Sequence, residues 1–371
     1  MMSFNEIKKL GFGFMRLPMN GSEVDIEQTK EMVDLFMERG FTYFDTAYGY
    51  MEGKSEEALK TSLVDRYPRE SFQIATKLPA WYGVKTQEEA QNMFWTSLKR
   101  IGVEYFDFYL LHNLGENRTK YFDDFDIWNF LADKKEQGLI KNLGFSFHDR
   151  AHVLDEILTK HPEVDFVQLQ INYADWESDT VESRKCYEVA RKHNKPIVIM
   201  EPVKGGSLAN LPEPIPTMFQ DVNPDASVSS WAIRYAASLD GIITVLSGMS
   251  NVTQMEDNLS YMEHFKPVTD EEVEVIKKVQ KILDTIPRIP CTDCKYCVKG
   301  CPQSISIPGV FKAMNTNLVY NNTQGARNTY SLVTRRGGKA SSCIECGQCE
   351  DACPQHIHII DELKVAAGIF E

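Results

Sequence analysis

Eight of the nine cysteines fall into two copies of one run. The first reads Cys291-x-x-Cys294-x-x-Cys297-x-x-x-Cys301-Pro302, and the second Cys343-x-x-Cys346-x-x-Cys349-x-x-x-Cys353-Pro354. Three closely spaced thiolates, then a fourth followed by proline, is the spacing that holds a [4Fe–4S] cluster, so two runs imply two clusters. A pair of four-cysteine zinc sites is the competing reading, because zinc also takes tetrahedral thiolates. The short spacing of the third cysteine and the proline after the fourth favour iron and sulfide. Thiols at this spacing need a reducing compartment, which points to the cytoplasm. Cys186 falls in a predicted helix and reads as a buried structural thiol.

A second group of reactive side chains lies earlier in the chain. Asp45, Lys77 and His112 each close a short apolar run, and Tyr50 follows Asp45 in the next loop. Singly each has a bland reading: a helix cap, a packed ring, a hydrogen-bonded histidine. Four titratable groups from three neighbouring strand ends make a chemical set. A phenol ionises near pH 10, too high for an efficient acid at neutrality. A neighbouring Lys77 ammonium would stabilise the phenolate and lower that value, with Asp45 holding the lysine. His112 would hydrogen-bond and orient a carbonyl oxygen. Such a set protonates an oxygen as hydride reaches the attached carbon.

The elements that would position these residues alternate regularly. Strands are predicted at 10–15, 42–45, 72–77, 106–111, 141–146, 166–171, 197–201 and 242–247. Helical periodicity follows each, at 26–39, 55–66, 87–101, 124–137, 150–160, 180–193, 225–238 and 252–261. Gly40, Gly102, Gly138 and Gly241 sit where helices should stop. Eight βα units predict a (β/α)8 TIM barrel, whose chemistry gathers at the C-terminal ends of the strands. A doubly wound sheet is the runner-up, but Gly11-Phe12-Gly13 leads into a polar loop rather than a helix, so the dinucleotide fingerprint fails. A helix at 270–284 and a stiff linker at 285–290 follow. The polar segment 321–339 reads as a loop after a helix near 308–317, and 211–225 as a Pro-rich loop on the rim.

The run Phe44-Asp45-Thr46-Ala47-Tyr48-Gly49-Tyr50, with Ala75-Thr76-Lys77 and Leu110-Leu111-His112, resembles the aldo-keto reductase family over about residues 4–285. The resemblance implies a catalytic tetrad of Asp45, Tyr50, Lys77 and His112 and an NAD(P)H site across the barrel mouth. Ser146 and Gln170 match positions that hold the carboxamide, with Met200 where an aromatic ring commonly stacks. Glu201, Pro202, Val203, Lys204, Gly205, Gly206, Ser207 and Leu208 resemble the loop under the pyrophosphate. Ser247, Gly248, Met249, Ser250, Asn251, Gln254, Asp257 and Asn258 resemble the adenosine site. Phe147 replaces the usual Asn after the carboxamide serine, and Gly248 and Gln254 offer no cation to a 2′-phosphate. A choice leaning to NADH, or relaxed, is therefore expected. The C-terminal segment resembles two-cluster ferredoxins. That resemblance implies crossed ligation: Cys291, Cys294, Cys297 and Cys353 on one cluster, and Cys343, Cys346, Cys349 and Cys301 on the other.

These readings give two domains, a barrel at 1–285 and a ferredoxin-like iron–sulfur domain at 286–371. The chain of 371 residues, 43% hydrophobic, suffices for both. A net charge of −13 argues against nucleic acid as a partner. No apolar run is long enough to span a membrane, and the first residues lack a signal-peptide pattern. A small carbonyl compound is the expected substrate, with Trp81 and Tyr82 on a loop suited to an apolar one. Three readings of the fusion stand: NAD(P)H-driven carbonyl reduction with structural or sensory clusters, a reductase fed through the clusters by a ferredoxin-like donor, and a non-catalytic nucleotide-binding subunit of an electron-transfer complex.

Overall fold

A computed structural model describes the chain except residues 1–3, Thr292, Cys294, Arg336 and Pro354, and the side chains of Asn5 and Lys299. By its internal contacts the chain divides into two units. One runs to Pro202 and adds Ser230–Thr269; the other joins Val203–Ser229 to Asp270–Glu371.

The first unit is a closed parallel barrel. Its strands are β1 (Leu10–Gly13), β2 (Tyr43–Asp45), β3 (Gln73–Leu78), β4 (Phe106–Leu114), β5 (Ile140–Phe147), β6 (Phe166–Gln170), β7 (Ile197–Met200) and β8 (Ile242–Ser247). Each pairs with its sequence neighbours, and β8 pairs with β1 to close the ring. The doubly wound alternative is thereby excluded. Tyr43, Ala75, Phe108, Leu110, Phe166, Val198 and Leu246 fill the interior. Side chains alternate across a strand, so the residue two places on shares the inner face. Asp45, Lys77, His112 and Met200 each stand two places beyond one of these core residues, which puts them on the inner face above the packing. Gly144 is needed below them: a Cβ there would stand 2.5 Å from the Phe166 carbonyl oxygen.

Helices connect the strands nearly as their periodicity predicts, with corrections of detail. The 124–137 prediction resolves into two helices, Thr119–Asp124 and Ile127–Glu136. The helix after β2 widens from Lys54–Leu59 into a π turn, Lys60–Val64. A small hairpin, Met19–Asn20 with Glu23–Val24, went unpredicted.

The second unit departs further from expectation. The segments Val203–Ser229 and Asp270–Thr285, assigned by sequence to the barrel domain, group with the C-terminal residues. The 211–225 loop contains a helix, Ile215–Val222, whose Ile215 and Phe219 are buried; Asn223 beyond it donates to Glu272 of the Asp270–Thr285 helix at 3.2 Å. The polar 321–339 segment is not a loop. Helix Ile307–Tyr320 turns at Asn321, φ 49°, into helix Thr323–Thr334, capped by Asn322. Polar composition hid it because only Ala326 and Tyr330 of that helix are buried. A closing helix, Ile359–Phe370, completes the core through Ile359, Leu363 and Phe370. The 285–290 linker is pinned: Asn315 bonds both the N–H and the carbonyl of Ile289, at 2.8 and 2.9 Å.

Candidate active site and cluster cavities

The four strand-end residues meet. Lys77 Nζ donates to Asp45 Oδ1 at 2.6 Å and to the Thr46 carbonyl at 2.8 Å. It also lies 5.0 Å from the centre of the Tyr50 ring. The Tyr50 and His112 rings stand edge to face, 5.6 Å apart. His112 sits where the β4–β5 register shifts, beside Asn113 at φ 62°. Such a bulge re-aims a side chain at a barrel rim. Trp81 braces it: its Nε1 donates to the His112 carbonyl at 2.8 Å, and the Arg118 guanidinium covers its other face at 4.8 Å. Tyr82 packs edge-on against Trp81 and is exposed.

The electrostatics correct one expectation. The Tyr50 phenol is raised above its ordinary value, not lowered. Burial raises it most, the Lys77 charge opposes, and Asp45 adds to the rise. Burial would lower Lys77, but Asp45 and Tyr50 outweigh it and hold the ammonium charged. His112 falls well below the ordinary histidine range, from burial first and then from Lys77, His148 and Arg118, so it is a neutral imidazole. The arrangement is therefore a protonated phenol, a neutral imidazole with a buried unpartnered Nδ1, and a fixed cation behind them.

Several residues of the site escaped the sequence reading. Tyr50 opens a turn in which Met51, Glu52 and Gly53 all have left-handed backbone, φ 51°, 59° and 98°. Two non-glycine residues there are strained. Arg100 holds the turn: it donates to the Tyr48 carbonyl at 3.0 Å, covers the Tyr48 ring at 4.8 Å and packs against Gly53. Its charge is met by Glu56 at 2.7 Å, a fully buried carboxylate that also accepts from Thr76 at 2.7 Å. Neither adjoins a motif residue in an obvious way, so only the helical phase of Glu56 hinted at burial. Arg16, just beyond β1, pairs with Glu201 at 3.5 Å and reaches within 3.8 Å of where a Gly248 Cβ would stand. A cation thus lies near Gly248 although the motif has none. The strand-end rule, applied to β1, would have found it.

Of the residues suggested for a nucleotide, Ser146 stands one residue before the end of β5, buried, its Oγ accepting from Asn113 N–H at 2.8 Å. Gln170 ends β6 and donates to Asp175 at 3.2 Å. Asn258 donates to Ser247 Oγ at 2.9 Å. Asn251 caps the Val252–Met262 helix, and Gln254 accepts from Ser250 N–H at 2.8 Å. Met249 and Leu208 are buried. The turn 204–209 carries left-handed backbone at Lys204, Gly205 and Gly206. Cys186 is buried, its thiol pushed up to about 12 by burial.

In the second unit, two apolar cavities gather the cysteines. Cys301, Cys343, Cys346 and Cys349 line one, with Ile305 and Leu363. Cys291, Cys297 and Cys353 line the other, with Phe311 and Ile357. Cys294 lies outside the described residues. Each cavity takes the fourth cysteine of the opposite run.

The comparisons bear on both units. The aldo/keto reductase family model matches residues 9–281. The chain belongs to the aldo/keto reductase family. A 4Fe–4S dicluster domain model matches residues 290–358 of this reductase. An uncharacterized oxidoreductase of Bacillus subtilis, YqkF, is 23% identical, the alignment covering 74% of this chain and 94% of that one. The 9,11-endoperoxide prostaglandin H2 reductase of Trypanosoma cruzi is 25% identical over 72% of this chain and 89% of its own. In fold, the reductase is similar to a Klebsiella pneumoniae aldo-keto reductase solved with NADPH, at TM-score 0.58 and 16% identity, covering 74% and 91%. It is likewise similar to the holo form of AKR11C1 from Bacillus halodurans, at TM-score 0.55 and 22% identity, covering 74% and 92%. Among the described residues no helix is long and apolar enough to cross a membrane.

Proposed function

We propose that this protein reduces an aldehyde or ketone with NAD(P)H in the cytoplasm, and carries two [4Fe–4S] clusters. The observation that carries the reading is the tetrad: Lys77 bound to Asp45 at 2.6 Å beneath Tyr50, with neutral His112 beside the phenol. A carbonyl oxygen placed between Tyr50 and His112 accepts a hydrogen bond from each. A bound nicotinamide supplies hydride to the carbonyl carbon. Tyr50 gives its proton to the oxygen, and Lys77 stabilises the phenolate left behind. Asp45 keeps that ammonium in place. Residues of the first unit fit such a cofactor: Ser146 keeps a hydroxyl proton to donate to a carboxamide, and Arg16 brings a cation beside Gly248. Within the second unit, the Lys204–Gly206 turn by itself suits an anion.

The cysteines line two apolar cavities, and thiolates at this spacing suit iron–sulfur clusters. Cys291, Cys294, Cys297 and Cys353 would hold one cluster, and Cys343, Cys346, Cys349 and Cys301 the other. The deciding experiment is anaerobic single turnover of a panel of aldehydes and ketones with NADH, NADPH or reduced ferredoxin. Reduction with a nicotinamide alone supports the reading. Turnover with reduced ferredoxin only would overturn it in favour of cluster-fed chemistry.

A further inference from the structure

The helix Ile307–Tyr320 joins two functional regions of the second unit. Its first turns border both cavities: Ile307 lines each of them, and Pro308 and Phe311 line that of Cys291, Cys297 and Cys353. Fourteen residues of α-helix span about 21 Å. At the far end the Tyr320 ring lies 5.8 Å from Lys204 Nζ. Two residues on, Asn322 has two tasks. Its Oδ1 accepts from Gly325 N–H at 2.8 Å, capping the next helix, and its Nδ2 donates to Ser207 Oγ at 3.1 Å. Lys204 and Ser207 belong to the turn whose backbone is left-handed at Lys204, Gly205 and Gly206. A lysine in that conformation is disfavoured on its own, so the shape must be imposed by partners.

We propose that the iron–sulfur unit fixes the shape of the nucleotide-binding turn through this helix, with Asn322 and Tyr320 as positioning residues for dinucleotide affinity. The proposal rests on the reading of residues 203–208 as the pyrophosphate loop. Asn322 and Tyr320 touch no reacting atom; they act through Ser207 and Lys204. Residues of the second unit then brace this turn, whatever the redox role of the clusters.

The test uses the full-length, cluster-loaded protein under anaerobic conditions, titrated with NADPH and with NADH and followed by nucleotide fluorescence. Asn322→Ser keeps a hydroxyl that caps Gly325 but is too short to reach Ser207. Tyr320→Leu removes the ring beside Lys204. Each should raise the nucleotide Kd about fivefold or more. Carbonyl turnover at saturating nucleotide, iron and sulfide content and the reduced-cluster paramagnetic signal should stay at wild-type levels. Asn322→Asp keeps the cap and accepts a hydrogen bond from the Ser207 hydroxyl, so it should restore most of the affinity. Wild-type Kd in both Asn322→Ser and Tyr320→Leu overturns the proposal, as does loss of iron in either, which would assign the residue to the iron–sulfur fold alone. Failure of the unmutated protein to bind either nucleotide overturns the loop reading itself, and the proposal with it.

Discussion

The Lys77 ammonium lies 2.6 Å from Asp45 Oδ1, with the two side chains only 1% and 5% exposed. A buried pair of this kind contributes little net stability, but removing one member strands the other charge. Asp45→Leu should therefore destabilise the fold by about 3–5 kcal/mol. Asp45→Leu with Lys77→Met should recover much of that loss while remaining inactive. Chemical denaturation of the two variants, followed by tryptophan fluorescence, checks both statements.

Tyr50→Phe retains the ring and deletes only the acidic hydroxyl. Carbonyl reduction should fall by about 10²–10⁴-fold, with nucleotide binding little changed. Lys77→Met should be comparably damaging, and the double variant hardly worse than either single one, because the residues act as a unit. Single-turnover rates with bound nucleotide measure this directly. Wild-type rates in Tyr50→Phe would remove the tyrosine from the chemistry.

The pH profile follows from the directions of the shifts. A general acid works below its pKa, and that of Tyr50 is raised by burial. The reduction rate should thus stay flat past neutrality and decline only above about pH 10. His112 is depressed, so it stays neutral through the range in which histidine ordinarily titrates. No acid limb should appear near about pH 6.5. A profile of kcat from mildly acidic to strongly alkaline pH tests both limbs. An inflection in the histidine range that vanishes in His112→Gln would contradict the neutral-imidazole assignment.

Arg100 is the brace beneath the Tyr50 turn. Arg100→Met leaves Glu56 buried without its cation and should cost about 3–5 kcal/mol. Adding Glu56→Gln should return part of the stability. It should not return the turnover, because the strained Met51–Gly53 turn still lacks its support. Melting curves and kcat, read on the same preparations, separate the two effects.

Cys353 shares its cavity with Cys291 and Cys297, not with its own run. The intact protein should bind about eight irons. Cys353→Ser should perturb the cluster at Cys291 and Cys297, and Cys301→Ser that at Cys343, Cys346 and Cys349. Iron and sulfide analysis with paramagnetic resonance of the reduced protein distinguishes the crossed pattern from one in which each run serves its own cluster.

The barrel was legible because two periodicities alternate cleanly, and because Asp45, Lys77 and His112 each stand at or near the C-terminal end of a strand on the inner face. The phase of an apolar run fixes which residue points inward, so the placement of Asp45, Lys77 and His112 followed from the pattern, whereas Tyr50 lies in the loop beyond β2. Arg16 lay just past the end of β1 and was overlooked, whereas Glu56 and Arg100 were not legible. Their importance comes from neighbours distant in sequence, such as Arg100 with Tyr48 and Gly53, and no local pattern encodes that. The direction of the Tyr50 shift was misjudged for a related reason. A sequence names the lysine beside the phenol but not the desolvation that outweighs it. The Thr323–Thr334 helix was missed because its surface is polar nearly all round, leaving its Asn322 cap as the main local sign.

The exchange of Cys301 and Cys353 between the two cavities has a consequence for biogenesis. A ribosome delivers Cys291, Cys294, Cys297 and Cys301 first, yet Cys301 lines the other cavity, with Cys343, Cys346 and Cys349. The set around Cys301 is complete only after Cys349 has emerged, and the set around Cys291 only after Cys353. With the proposed crossed ligation, neither cluster would be finished on a half-made domain, so metal loading would wait until both runs have been synthesised, and the two insertions would become late, mutually dependent steps in maturation.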